Sequence, residues 1–233
     1  MKREERSAKA AGLPAALLWI VFGITLVIRV MAGDGGMLAA EMLKAAPPEA
    51  SGLPEKDYPG VCEMTAGYLT GKTDTFQYVI PEGEGAGTEC FRPNEAAHMA
   101  DCRSLIHLDG MACIAFLAAA GGLTAAGLAM RRGRESFLRG ILWGLRIACA
   151  LACAMIIWAM ADFDGLFVTF HRVAFRNDGW LLDPRTDLLI RLMPTEFFVR
   201  LGVRGLLRAL AAPAALEAAA RIGLYRLKKR DSQ

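Results

Sequence analysis

The chain has 233 residues, 54% of them hydrophobic, and 27 Lys and Arg against 24 Asp and Glu give a formal charge of only +3. Mean hydropathy is +0.31, and the apolar residues come in long blocks, which argues against a soluble domain and for a membrane protein. The basic residues cluster in short segments beside those blocks, the pattern of topology signals, so no nucleic-acid partner is implied.

In chain order, Ala10 to Ile28 is free of charge and starts the first predicted span, about residues 10–31. A run of about 20 apolar residues crosses a hydrocarbon core about 30 Å thick as a helix. A signal peptide is the competing reading, since a basic start precedes the run; its length favours an uncleaved anchor. An outer cap follows over 32–109. It opens with the Pro- and Gly-rich KAAPPEASGLPEKDYPG, read as a linker without regular structure. Tyr58, Val61, Met64 and Tyr68 recur at helical spacing, with Gly71 able to end that helix. Phe76, Tyr78 and Ile80 alternate in TFQYVI as in a half-buried strand, and PEGEGAG reads as a turn or loop. Asn94 is the predicted N-cap of a helix through NEAAHMADCRSLIHL, with Glu95 in its first turn. Asp109-Gly110 is expected to bend the chain before the second span, 110–130. The third span, 140–161, carries Arg146.

Residues 162–196 form a second outer segment. There Asn177-Asp178-Gly179 reads as a turn, and Asp183-Pro184 as N-cap and first residue of a short interfacial helix bearing Leu188, Leu189, Leu192 and Met193. Trp180 suits the aromatic belt. The fourth span, 197–220, contains Arg200, Arg204, Arg208 and Glu217. Its three arginines share one helix face, either snorkelling or forming an anion-binding stripe near the outer leaflet for a lipid phosphate, in which Arg200 and Arg204 would contact substrate. Arg146 and Glu217 are expected to pair, because an unpaired charge at that depth is costly. The expected fold is a mainly α integral membrane protein: a single membrane domain of four transmembrane helices with a small mixed α/β extracytoplasmic cap.

Basic residues at the amino terminus (Lys2, Arg3, Arg6, Lys9), between spans two and three (Arg131, Arg132, Arg134, Arg139) and in the tail (Arg221, Arg226, Lys228, Lys229, Arg230) fall on one side of such a bundle. The positive-inside rule makes that side cytoplasmic, with both termini, and leaves the cap and residues 162–196 outside. Cys62, Cys90 and Cys102 are then where a disulfide is permitted, and an odd count allows at most one pair. Cys113, Cys149 and Cys153 lie in spans as small packing residues.

All three histidines are outside or at the outer boundary. His98 precedes Asp101 by three residues, so the carboxylate can orient the imidazole from the same helix face. His171 stands in a polar cluster that a plain connection would not require, whereas His107 has no such setting.

The pair EAAHMAD, beginning at Glu95, and FHRVAFRNDGWLLDPRTDLLIRLMPTEFF, beginning at Phe170, resembles the Lit family of bacterial lipoprotein intramolecular transacylases. The resemblance implies that His98 and His171 are catalytic and that Asp101, Asn177, Trp180 and Asp183 occupy supporting motif positions. It also implies a diacylglyceryl lipoprotein substrate whose sn-2 acyl chain moves to the α-amine of its amino-terminal cysteine, giving lyso-form lipoprotein, with diacylated lipoproteins and membrane phospholipid as partners. Where the family usually has valine after the HxxD aspartate, this chain has Cys102, which argues against a family nucleophile there. The substrate brings both nucleophile and ester, so no cofactor, metal or enzyme nucleophile is required, and no G-x-S-x-G is present. Three alternatives stay open: a metal-dependent lipid or lipoprotein hydrolase built on His98, Asp101 and His171; Cys102 as an acyl-accepting thiol; and a non-enzymatic membrane adaptor.

Overall fold

A computed structural model describes residues 2–83 and 85–231; Glu84, within the predicted PEGEGAG loop, lies outside the described residues, as do the side chains of Lys2, Arg3, Glu4 and Asp231. The order is α1 (Lys2–Ala32), α2 (Gly35–Ala45), α3 (Pro48–Ser51), a 3-10 turn (Glu55–Asp57), α4 (Tyr58–Leu69), α5 (Pro93–Ala129), α6 (Arg134–Ala161), α7 (Phe163–Ala174), α8 (Leu188–Leu192), α9 (Thr195–Ala209) and α10 (Ala211–Asp231). Among the described residues, three helices are long and apolar enough to cross a membrane: Glu5–Ala32 within α1, and all of α5 and α6. The region expected to form a fourth span is divided into α9 and α10 at Leu210. Pro213 explains the break, because it has no N–H for the carbonyl of Ala209 and its ring crowds that carbonyl.

The chain separates into two compact units. The first comprises Met1–Val27, Met111–Met160 and Leu206–Gln233. Its core gathers Ala8, Ala15, Ala16, Phe137, Leu138, Ile141, Leu145 and Ala220. Small residues let α1 and α6 touch backbone to backbone: a Cβ on Gly140 would stand 3.0 Å from Gly12 Cα, and one on Gly144 would stand 2.7 Å from Ala16 Cβ. Gly140 and Gly144 make a GxxxG pair, the spacing that brings two apolar helices into close contact. Trp19 Nε1 donates to Thr124 Oγ1 at 3.0 Å, linking α1 to α5. The expected Arg146–Glu217 pair does not form. Glu217 accepts from Arg221 one turn along α10 at 2.6 Å, and Arg146 lies over the Trp143 ring, 5.1 Å from its centroid. An i,i+4 partner on the same helix is reached without ordering a second element.

The second unit comprises Ile28–Gly110 and Ala161–Gly205. The predicted helix from Tyr58 is α4, followed by Gly71 in the left-handed region at φ +79. The stretch expected to be a linker instead holds α3 and the 3-10 turn, both begun by prolines whose fixed φ suits a first turn. It is fastened by the Tyr58 hydroxyl, which is 2.6 Å from Ser51 Oγ and donates to the Ala46 carbonyl. The TFQYVI strand reduces, among the described residues, to one antiparallel bridge, Val79 with Glu89. The Gln77 side chain takes over where a ladder would continue, donating to the Phe91 carbonyl at 2.8 Å and accepting from its N–H at 3.0 Å. Phe76 and Phe91 pack beneath with ring centroids 4.6 Å apart. Helix α5 runs unbroken through Asp109-Gly110, so the predicted bend is absent; one glycine costs a helix about 1 kcal/mol, too little to interrupt one paired on both sides.

Candidate active site

The site lies wholly within the second unit. Helix α5 begins two residues earlier than expected, at Pro93, so Asn94 is not its cap. Buried Glu95 completes the start instead: Oε2 accepts from Arg92 N–H at 2.7 Å, half of a capping box. Its other oxygen accepts from Leu189 N–H at 2.6 Å, so one carboxylate also caps α8. Asn94 donates to Asp187 Oδ2 at 3.0 Å. Buried Asp187 also accepts from the Asp183 N–H at 2.9 Å and from Thr186 Oγ1 at 3.0 Å. It is Asp187 that precedes α8, four residues later than the predicted cap at Asp183; Asp183 closes a turn, accepting from Arg185 N–H. The Arg185 guanidinium holds the Asp183 carboxyl below its ordinary range. Glu95, Asn94 and Asp187 thereby bind the start of α5 to the segment after the second motif.

His171 sits in α7, a helix capped by Asp162, whose carboxylate accepts from Gly165 N–H at 2.8 Å. His98 and His171 are 8% and 7% exposed, with ring centroids 6.1 Å apart. His171 Nδ1–H donates to the Phe167 carbonyl at 2.8 Å. A carbonyl only accepts, so Nδ1 carries the proton and the lone pair of the neutral ring is on Nε2. Aromatic rings surround this imidazole, with centroids at 4.1 Å for Phe167, 5.0 Å for Trp180 and 5.5 Å for Phe175.

His98 differs. Its Nε2 is 3.6 Å from Cys102 Sγ, Phe175 meets the ring edge-on at 5.3 Å, and its buried Nδ1 has no protein partner. Burial, reinforced by the nearby His171 and opposed by Asp101, holds its pKa below the ordinary imidazole value. Asp101 does not hydrogen-bond this ring, contrary to the orienting role expected from spacing. Asp101 Oδ2 accepts instead from Asn177 Nδ2 at 2.9 Å, while Asn177 Oδ1 closes its own turn by accepting from Gly179 N–H. The pair therefore ties the two motifs together. Burial pushes the Cys102 thiol up to about 12, leaving almost no thiolate to accept an acyl group at neutral pH. All six cysteines are free, so the permitted disulfide does not form. Among the described residues no three His, Cys, Asp or Glu side chains are grouped to hold a metal ion.

Arg200 and Arg204 converge on a carboxylate that the sequence did not announce, Glu41 of α2, which is 4% exposed. Arg204 pairs with its Oε1 and Arg200 Nε lies 3.5 Å from Oε2. Burial alone would raise the Glu41 carboxyl, but hydrogen bonds from Lys44 and Arg204 outweigh it and hold it low. Missed in the sequence were Asp187 and Glu41, together with Phe167 and Phe175, and Glu95 was placed only in the first turn of its helix. A signal existed for Phe167 and Phe175, which flank His171 by four residues on either side.

The family model for the lipoprotein intramolecular transacylase Lit matches residues 14–198. Over all of both chains, the fold is similar to that of the membrane integral lipoprotein intramolecular transacylase Lit from Bacillus cereus, solved in meso, with a TM-score of 0.69 at 20% identity. A structure of that protein with a histidine-to-arginine substitution gives 0.66 at 23% identity, over 98% of this chain and 96% of that one. Another, with a histidine-to-alanine substitution, gives 0.65 at 20% identity over 100% and 97%. No curated protein matches the chain.

Proposed function

We propose, from the premise that this chain belongs to the Lit family of lipoprotein intramolecular transacylases and is a membrane acyltransferase, that His171 and His98 move the sn-2 acyl chain of a diacylglyceryl lipoprotein to the α-amine of its amino-terminal cysteine. The observation that carries the reading is the facing pair of buried imidazoles with unlike hydrogen bonding. The substrate amine, with a pKa of about 8, attacks the ester carbon and loses a proton to His171 Nε2. The tetrahedral oxyanion accepts a hydrogen bond from His98, whose Nδ1 lacks a protein partner. Collapse breaks the bond from the acyl carbon to the glyceryl oxygen. That oxygen takes the proton from His171, leaving an amide on the cysteine and a free glyceryl hydroxyl.

The Asn177–Asp101 bond, the Asp183 turn and Trp180 hold the His171 segment against α5 in this reading. Arg200 and Arg204 attract the phosphate or ester oxygens of the incoming lipid while remaining anchored on Glu41. The topology we infer has four spans at about 10–31, 110–130, 140–161 and 197–220, with cytoplasmic termini and an extracytoplasmic site formed by 32–109 and 162–196. It draws support from α5, whose 37 residues extend about 55 Å against a core of about 30 Å, so its amino-terminal part, His98 included, extends past the hydrocarbon.

Mass spectrometry of lipoprotein amino termini, from cells with and without the chain, tests the activity. N-acylated lyso-lipoprotein should appear only with the chain and should require both histidines. Unchanged lipoproteins would refute the reading.

A further inference from the structure

We infer that a cavity in the first unit, separate from the histidine pair, binds the phosphate of an anionic membrane phospholipid. The cavity measures about 530 Å³ and is walled by α1, α6 and α10. Its lining includes Lys9, Arg146, Arg221 and Lys228, with Trp143 and Tyr225 beside them. Arg139 and Glu135 complete the charged set, so five cations face one carboxylate. That carboxylate is occupied, since Glu135 accepts from Arg139 at 2.6 Å. Arg221 is matched by Glu217. No carboxylate partner of Lys9, Arg146 or Lys228 is found among the described side chains, so the cavity carries an excess of positive charge.

Arg146 makes the case specific. It is the thirteenth residue of α6, one of the three helices able to cross a membrane, and a charge within such a helix requires a partner. Glu217, the carboxylate expected to meet it, is bound to Arg221. What Arg146 does contact is the Trp143 ring, toward which Lys9 also points at 5.7 Å. Two cations beside one indole, with Leu142 and Leu224 on the same walls, form a site whose polar end takes a phosphate and whose apolar walls take acyl chains. Basic pockets between membrane helices bind lipid headgroups in this way. Tyr225, 67% exposed, supplies the amphipathic ring common at a headgroup boundary.

Native mass spectrometry of the purified full chain, delipidated and titrated with phosphatidylglycerol or phosphatidylcholine, tests this. The unaltered chain should prefer phosphatidylglycerol, and removing each cation should weaken that binding about fivefold, so Arg146→Gln combined with Lys228→Gln should weaken it about 25-fold. Arg131→Gln, outside the cavity, should leave it unchanged. Equal binding of the two lipids, or phosphatidylglycerol binding undiminished by the double substitution, overturns the proposal. So does displacement of phosphatidylglycerol by excess inorganic phosphate, which would make the site one for a free anion. Should the double variant not fold, the unaltered chain still decides: phosphatidylglycerol must raise its unfolding midpoint more than phosphatidylcholine, and equal shifts refute the site. His171→Ala should keep the lipid preference, so failure here is distinct from failure of the transacylase reading.

Discussion

The two units solve the same problem, fastening one segment against another, with opposite materials. In the first, Gly12, Gly140 and Gly144 remove side chains so that α1 and α6 meet at van der Waals distance. In the second, buried carboxylates do the fastening: Glu95 caps two helices, Asp187 gathers Asn94, Thr186 and the Asp183 N–H, and Glu41 holds Arg200 and Arg204. A carboxylate in hydrocarbon is expensive, while dispersion between smooth helix faces is not, so a lipid-facing bundle favours small residues. Where loops and short helices leave unpaired N–H groups, an anionic acceptor satisfies several at once. The first unit should therefore be intolerant of added volume and the second of lost acceptors.

The largest expected effect concerns neither fastening device. His171→Ala or His98→Ala should reduce transacylation by about 10²- to 10⁴-fold with the unfolding midpoint little changed, as read by the appearance of N-acylated lipoprotein over time. Loss of activity only through loss of the folded protein would instead favour the adaptor reading. Next comes Glu95→Ala, which strands two N–H groups in a buried place and should cost about 3 kcal/mol in thermal unfolding. Glu95→Gln, which keeps one acceptor, should lose less. Gly140→Leu should cost about 2 kcal/mol by overpacking, whereas the same added volume at exposed Gly179 of the second unit should cost less. A smaller effect follows pH. His98 is held neutral by burial with a lowered pKa, so below the ordinary imidazole value of 6.5 the unfolded chain binds the proton first. Stability is full above that value and falls as pH drops toward the folded-state pKa; a His98→Asn variant should flatten that slope of unfolding midpoint against pH. Smallest is Asn177→Ala, which removes an exposed bond to Asp101 and should cost about 1 kcal/mol.

The same division explains what the sequence disclosed. Long apolar runs at Ala10, Gly110 and Gly140 are a property of composition, so α1, α5 and α6 were visible before any contact was known. Tyr58, Val61 and Tyr68 likewise carry their helix in their spacing. The two histidine motifs were legible as a family resemblance, which brought His98 and His171 together across 73 residues. Partnerships between polar groups were not legible. Asp101 and Asn177, Glu41 and Arg204, and Glu95 and Leu189 are joined only by tertiary folding. The helical spacing of His98 and Asp101 suggested a bond that distant Asn177 won instead. Arg146 and Glu217 failed as a pair for the converse reason, because a partner four residues away on α10 was nearer than one on another helix.

In its proposed role as base, His171 depends on the hydrogen bond to the Phe167 carbonyl. In many histidine bases a carboxylate side chain selects the reactive nitrogen, and a single substitution can reverse that selection. Here the selector is a peptide group of the same helix, present whatever residue stands at 167. The tautomer is thus written in backbone geometry: it survives side-chain drift at 167 and yields only to unwinding of the last turns of α7. A ligand or variant that loosens that turn would silence the enzyme with every motif residue intact, and ¹⁵N shifts of His171 Nε2 would register the change before any product assay did.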